Sequence, residues 1–257
     1  MHKRMNFYLR TLRRFLRLLD RIRFPYPVSR FLICLGCEPV ALYREIRRLL
    51  FNRRPVRLPP FSLGPLETHY PIVLFLHGNR SDPGIWNPFV TLLRKKGFRG
   101  VILCPELTRY PHRKDRTHPV GRRDLRRIVQ FQTAIARIYA RNKHRPRLIV
   151  VGYSRGAELA SAFYIRLHGK EKIACSGHDP SVRIEKVILI ANSLEIPEEA
   201  QICLKTQKLI NIAGDRDVLT RSPEHLHMDR FFSSLGHLGL MQSAEVIRYT
   251  VQQIMSS

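Results

Sequence analysis

Acidic side chains are scarce in this sequence: 20 Asp+Glu stand against 45 Lys+Arg over 257 residues, a formal net charge of +25. Such a field concentrates anionic partners, lipid headgroups and nucleic acid among them. Long apolar runs are missing too. No stretch approaches the roughly eighteen apolar residues that span a bilayer, and "FLICLGC" is only a short patch, so a transmembrane protein is not expected. Arginines interrupt every apolar run near the N-terminus before a segment of about seven to fifteen residues can form, which argues against a secretory signal. Cysteine is sparse. Cys34, Cys37, Cys104, Cys175 and Cys203 are too few and too scattered for a disulfide framework. Three of them lie in apolar runs, where a thiol acts as a small hydrophobe, and a reducing, cytoplasmic setting is the expectation. The pair Cys34 and Cys37 has redox or half-zinc spacing, but no second pair completes four ligands, and it reads as apolar filler.

What is abundant is positive charge, held in two places. Residues 1–60 carry 15 Lys+Arg against 3 Asp+Glu and residues 109–147 carry 13 against 2, whereas residues 148–257 balance at 12 against 12. In the first segment Tyr8, Leu12, Phe15, Leu19 and Ile22 recur every three or four residues while Arg10, Arg14, Arg17 and Arg21 keep the same rhythm on another face. This is a basic amphipathic helix. It suits the surface of an anionic membrane, contacted through residues 1–24 on its inner, cytoplasmic face; it could instead pack on the domain behind it. A transit peptide fits less well because no serine precedes Ser29. A second helix is expected at "PVALYREIRRLLFNRR", and "PVRLPPFSLGP" reads as a linker, giving a basic helical extension over 1–60 and a main domain over 61–257.

From residue 71 short apolar runs alternate with helical segments. "PIVLFLHG", "GVILCPEL", "RLIVVG", "KVILIAN" and "KLINIAG" are rich in β-branched residues and closed by turn formers, as buried parallel strands are. "WNPFVTLLRKKG", "DLRRIVQFQTAIARIYARN", "GAELASAFYIRL" and "LMQSAEVIRYTVQQIM" have helical periodicity. The expectation is an α/β fold with helices on both faces of a mostly parallel sheet.

Ser154 stands between the run "RLIVV" and the helical "GAELASAFY", with Gly152 and Gly156 two residues to either side. A serine on so tight a strand-to-helix turn needs small neighbours, because a side chain there would strike the adjoining strand or helix. As a nucleophile it needs a base, and the base a carboxylate. Asp215 and Asp217 follow "KLINIAG", and His237 follows "RFFSSLG"; either aspartate could reach the histidine. An oxyanion would need two fixed donors, for which the backbone N–H groups of Arg155 and of Asn79, after His77-Gly78, are the candidates. His225 and His227 come too soon after the aspartates for another strand to intervene, and they have no third ligand nearby for a metal.

His77-Gly78-Asn79, Gly152 to Gly156, Gly214 to Asp217 and Gly236-His237 fall in the order seen in serine esterases and lipases, and from about residue 70 onward the chain resembles the α/β-hydrolase superfamily. "SSLGHLGLM" is similar to the histidine region of bacterial lipases. The resemblance implies an α/β-hydrolase fold, here a minimal sheet of about six strands, with Ser154 as nucleophile, His237 as base and Asp217 as acid. The interval between Asn192 and Lys208 is too short for a large cap domain. No cofactor and no metal are implied. The expected activity is hydrolysis of a carboxylic ester or thioester, on lipid-like acyl substrates at an anionic membrane, with the second basic segment near the site entrance. The contrasting expectation is a non-catalytic protein of the same fold that holds nucleic acid or a protein partner on its basic surface. It is weaker because no nucleic-acid module is recognisable and the basic segments lack base-stacking aromatics.

Overall fold

In the computed structural model the described residues are 38, 39, 41, 43, 70–78, 81–105, 107, 147–168, 183–192, 209–217 and 229–257. The N-terminal amphipathic helix, the boundary near residue 60, the basic segment short of Arg147, the helix expected over 124–142 and the interval 193–208 lie outside them. Of the second expected helix, Pro39, Ala41 and Tyr43 are helical.

Six strands form one sheet: β1 (Ile72–Leu76), β2 (Ile102–Leu103), β3 (Arg147–Tyr153), β4 (Arg183–Ile190), β5 (Leu209–Gly214) and β6 (Arg230–Phe232). Their order is β2-β1-β3-β4-β5-β6, and every pairing is parallel. Both faces of such a sheet must be covered, and the two-residue period of β1 divides its side chains accordingly. Ile72, Leu74 and Leu76 join a cluster with Ala157, Ala160 and Phe163 of α2 (Arg155–His168). Val73 and Phe75 join another with Phe89 and Leu93 of α1 (Asn87–Lys95) and with Val246, Val251 and Ile254 of α4 (Ala244–Met255).

Three departures from the sequence reading have local causes. β2 is only two residues long; Pro105, three residues after its start, cannot donate to a ladder. β6 was not among the five runs because Arg230 and Phe231 are exposed and only Phe232 is buried, which leaves no apolar run at this edge. The last helical stretch is two helices, α3 (His237–Gln242) and α4, because Ser243 is extended at φ −75° and ψ 122°. Its Oγ accepts from the Val246 N–H at 3.4 Å, so it caps α4 where a continuous helix would need it inside.

The α1 side of the sheet is built on aromatics. A short 3-10 turn, Pro83–Trp86, is capped by Asp82, whose Oδ1 accepts from the Gly84 N–H at 2.7 Å, and it buries the single tryptophan. Trp86 lies 4.7 Å from Phe75 and 5.1 Å from Phe89 between ring centres. α1 closes at Gly97, whose φ of +84° is the left-handed conformation that ends many helices. Cys104 beside this layer is an inert packing thiol, its pKa pushed up to about 12 by burial. Phe89→Ala removes a fully buried ring and is expected to destabilise the domain by about 3–5 kcal/mol; urea unfolding followed by Trp86 fluorescence measures it.

Candidate active site

The strand order places a switch point between β1 and β3: the chain leaves β1 toward β2 on one side, and β3 lies on the other. Crevices at the carboxyl ends of strands on either side of such a point are where open α/β sheets bind ligands. The turn after β3 holds Ser154. Its N–H continues the ladder by donating to Ile190 O at 2.8 Å, and its carbonyl accepts from Ala157 at 2.9 Å, the first bond of α2. One residue thus ends a strand and starts a helix, which forces φ to +53°. That is a left-handed conformation costing a non-glycine residue roughly 1–2 kcal/mol.

The two glycines make this turn possible. A side chain on Gly156 would overlap the carbonyl of Leu76 at the end of β1, and one on Gly152 would overlap the backbone of Gly156 and Ala157. The approach also brings the end of β1 to the serine, since a Cβ on Gly78 would sit 3.1 Å from that of Ser154.

The Ser154 Oγ lies 2.9 Å from His237 Nε2, and His237 Nδ1 lies 2.9 Å from Asp217 Oδ2 and 3.1 Å from Oδ1. A carboxylate only accepts, so Nδ1 carries the ring proton and the Nε2 lone pair faces the serine hydroxyl. Asp217 and His237 are buried, and Ser154 is partly exposed. Asp217, not Asp215, reaches the histidine. Asp215 stays at the strand end with its N–H donating to Phe232 O at 3.2 Å, and the tight turn in which Asp217 N–H donates to Gly214 O at 3.2 Å aims the later side chain inward.

Arg155 opens α2, and its guanidinium pairs with Glu158 one turn on. Asn79, His225 and His227 lie outside the described residues. No group of three or more metal-ligating side chains occurs among the described residues.

Two further contacts were not readable in the sequence. His77 is buried; its Nε2 accepts from the Leu107 N–H at 2.9 Å, so its Nδ1 proton points to Gly78 O, also at 2.9 Å. It ties the loop after β1 to the segment after β2. Tyr153, buried beside the serine, donates its hydroxyl to the His237 carbonyl at 3.1 Å and stands 5.2 Å from the imidazole between ring centres. A strand residue adjoining Ser154 thereby fixes the backbone that carries the histidine.

The model of the alpha/beta hydrolase family matches residues 73–249, more than half of the chain and every element just described from β1 into α4. The chain belongs to the alpha/beta hydrolase family. Among solved structures, this alpha/beta hydrolase is similar to Arabidopsis thaliana SOBER1 at 13% identity, covering 73% of this chain and 98% of that one with a TM-score of 0.50. It is also similar to the Pyrococcus furiosus esterase Pf2001 at 15% identity, covering 72% and 83% with a TM-score of 0.45. At 13% identity the likeness to SOBER1 speaks to the fold alone. No curated protein matches the sequence significantly. Family membership makes the protein a hydrolase in general terms.

In this hydrolase the closeness of α2 to β1 is a stability constraint as well as a geometric one. Gly156→Ala is expected to cost about 1–3 kcal/mol through overpacking against rigid backbone, read as a lower urea midpoint with an unchanged slope.

Proposed function

We propose that the protein is a serine hydrolase that cleaves carboxylic esters or thioesters through an acyl-enzyme, on lipid-like acyl substrates at an anionic membrane surface. The observation that carries the reading is the line of contacts from Ser154 Oγ through both ring nitrogens of His237 to Asp217, each near 2.9 Å.

In this mechanism His237 Nε2 takes the hydroxyl proton as Ser154 Oγ bonds to the acyl carbon. Asp217 stabilises the resulting imidazolium and keeps the ring in the correct tautomer. The negative charge moves to the acyl oxygen, which the backbone N–H groups of Arg155 and Asn79 receive, each donor worth on the order of 3 kcal/mol. When the tetrahedral adduct collapses, the bond to the leaving oxygen or sulfur breaks and His237 returns its proton to that atom. A water molecule then repeats the sequence on the acyl-serine, giving up one proton to His237 and releasing the carboxylic acid and the free serine. The partial exposure of Ser154 beside a buried Asp217 suits this work, since substrate and the hydrolytic water reach the serine side of the imidazole while the acid behind it is shielded.

The membrane part of the reading is supported by charge. Arginines alternating with Phe, Leu and Ile over residues 1–24 present a face that anionic headgroups attract and another that acyl chains accept. No helix among the described residues is long and apolar enough to cross a membrane, and the contact proposed is a peripheral one.

A fluorophosphonate probe tests the chemistry. The wild type is expected to label, Ser154→Ala not at all, and His237→Ala and Asp217→Asn on the order of a thousandfold or more slowly. A folded wild type that does not label overturns the proposal.

Sedimentation with vesicles tests the surface. Replacing Arg10, Arg14, Arg17 and Arg21 together by Gln removes four charges worth about 1 kcal/mol each, so binding to phosphatidylserine-containing vesicles should fall by on the order of a thousandfold. Equal binding by the two proteins sinks the membrane reading. Salt-sensitive binding to RNA without vesicle binding would favour a nucleic-acid partner instead.

A further inference from the structure

α3, the short helix that begins at His237, has no cap of its own. Gly236 at its N-cap position has no side chain to offer the first N–H groups. They are met from the far end of the sequence. Glu38 Oε2 accepts from the Gly239 N–H at 2.6 Å and Oε1 from the Leu238 N–H at 3.3 Å, across 201 and 200 residues. Both flanking glycines make room for this. A side chain on Gly236 would collide with the Glu38 carboxylate, and one on Gly239 would come 3.2 Å from its Oε2. Three residues further along, the Ala41 carbonyl accepts from Gln242 Nε2 at 3.0 Å, so the same N-terminal segment holds α3 at both ends.

We propose that Glu38 is a positioning residue for His237, clamping the first turn of α3 so that the imidazole stays in line between Asp217 and Ser154. The role rests on the serine-hydrolase reading above. It makes the N-terminal segment part of the active centre, although the sequence places it in a separate extension. Hydrogen bonds from N–H groups to a carboxylate are short and roughly twice as strong as neutral ones, and a negative charge suits a helix start. His237 is held to Asp217 through its ring and to Tyr153 through its carbonyl, and these two contacts leave unheld the N–H groups of the two residues that follow it. Glu38 holds them. A misplacement of about 1 Å at a reacting group can cost on the order of a hundredfold in rate.

The charge on Glu38 is also sensitive to pH. Burial raises its pKa above the ordinary value of 4.5; the Gly239 and Leu238 N–H groups and His237 oppose this, and Asp217 adds to it. A carboxyl raised on folding contributes stability that is present below 4.5 and lost as pH rises through the folded value. The charged form of Glu38 is therefore less favourable to folding than its protonated form.

The test uses the full chain as wild type, Glu38→Gln and Glu38→Ala, followed from pH 5 to 9 by fluorophosphonate labelling rate, melting temperature and hydrogen exchange of the peptide covering 236–242. Glu38→Gln keeps one acceptor and no charge. It is expected to label on the order of tenfold more slowly at neutral pH, while its melting temperature gains on the wild type as pH rises. Glu38→Ala should label on the order of a hundredfold more slowly, with faster exchange in 236–242 and none in β3. Either variant labelling at the wild-type rate, or exchange in 236–242 unchanged in Glu38→Ala, overturns the proposal. If Glu38→Ala does not fold, Glu38→Gln decides alone by its rate. A wild type that fails to label removes the serine-hydrolase reading and with it the effect of Glu38 on rate, whereas faster exchange in Glu38→Ala would still establish the clamp.

Discussion

The backbone of α2 meets the backbone of β1 where Gly156 lies against the Leu76 carbonyl, and the position of Ser154, to which the rest of the site is directed, depends on that contact. Were the helix one methyl group farther away, Ser154 could relax out of its left-handed conformation, and its hydroxyl would no longer stand above the ends of the strands. The sheet supports the strain from the other side, because the Ser154 N–H is still engaged with Ile190 at the end of β4. A buried parallel ladder with side chains packed on both faces offsets a local cost of one or two kcal/mol without distortion.

The same device recurs along the carboxyl edge of the sheet. Ser154, Ala191 and Ser234 all have positive φ, and they follow β3, β4 and β6 in turn. Each lies where the chain leaves its strand, and His77, Tyr153, Asp217 and His237 all stand at or beyond strand ends along that edge. All four are buried, and each has a hydrogen-bond partner within about 3 Å. Polar groups in such surroundings are held in single orientations, since losing a partner there costs the full price of desolvation.

What the sequence disclosed and what it hid divide along one physical line. β1, β3 and β5 were legible because a buried parallel strand needs an unbroken β-branched run, and "IVLFL", "RLIVVGY" and "LINIAG" supply it. Ser154 was legible because its demands fall on residues two positions away. The order of serine, acid and histidine was legible, while the choice between Asp215 and Asp217 rested on resemblance; in the structure it is Asp217 Oδ2 that lies 2.9 Å from His237 Nδ1. β6, the break at Ser243 and the bridge made by His77 were not legible, because each depends on a partner supplied by tertiary structure. Glu38 is the extreme case. Its signals were an acid among fifteen basic residues and a histidine flanked by small Gly236 and Gly239, and neither signal points to the other.

That contact also orders events in time. Closing a free loop of about 200 residues costs on the order of 5 kcal/mol in chain entropy, so Glu38 and Gly239 do not find each other early. They meet only once β5 and β6 have brought α3 to the edge of the assembled sheet, as one of the last steps of a high-contact-order fold. The order runs in reverse on warming. A helix of six residues whose first turn is met by one distant side chain opens at lower free energy than a strand packed on both faces. A loosened first turn would leave the sheet intact and the serine on its turn, but would carry away the imidazole that takes its proton.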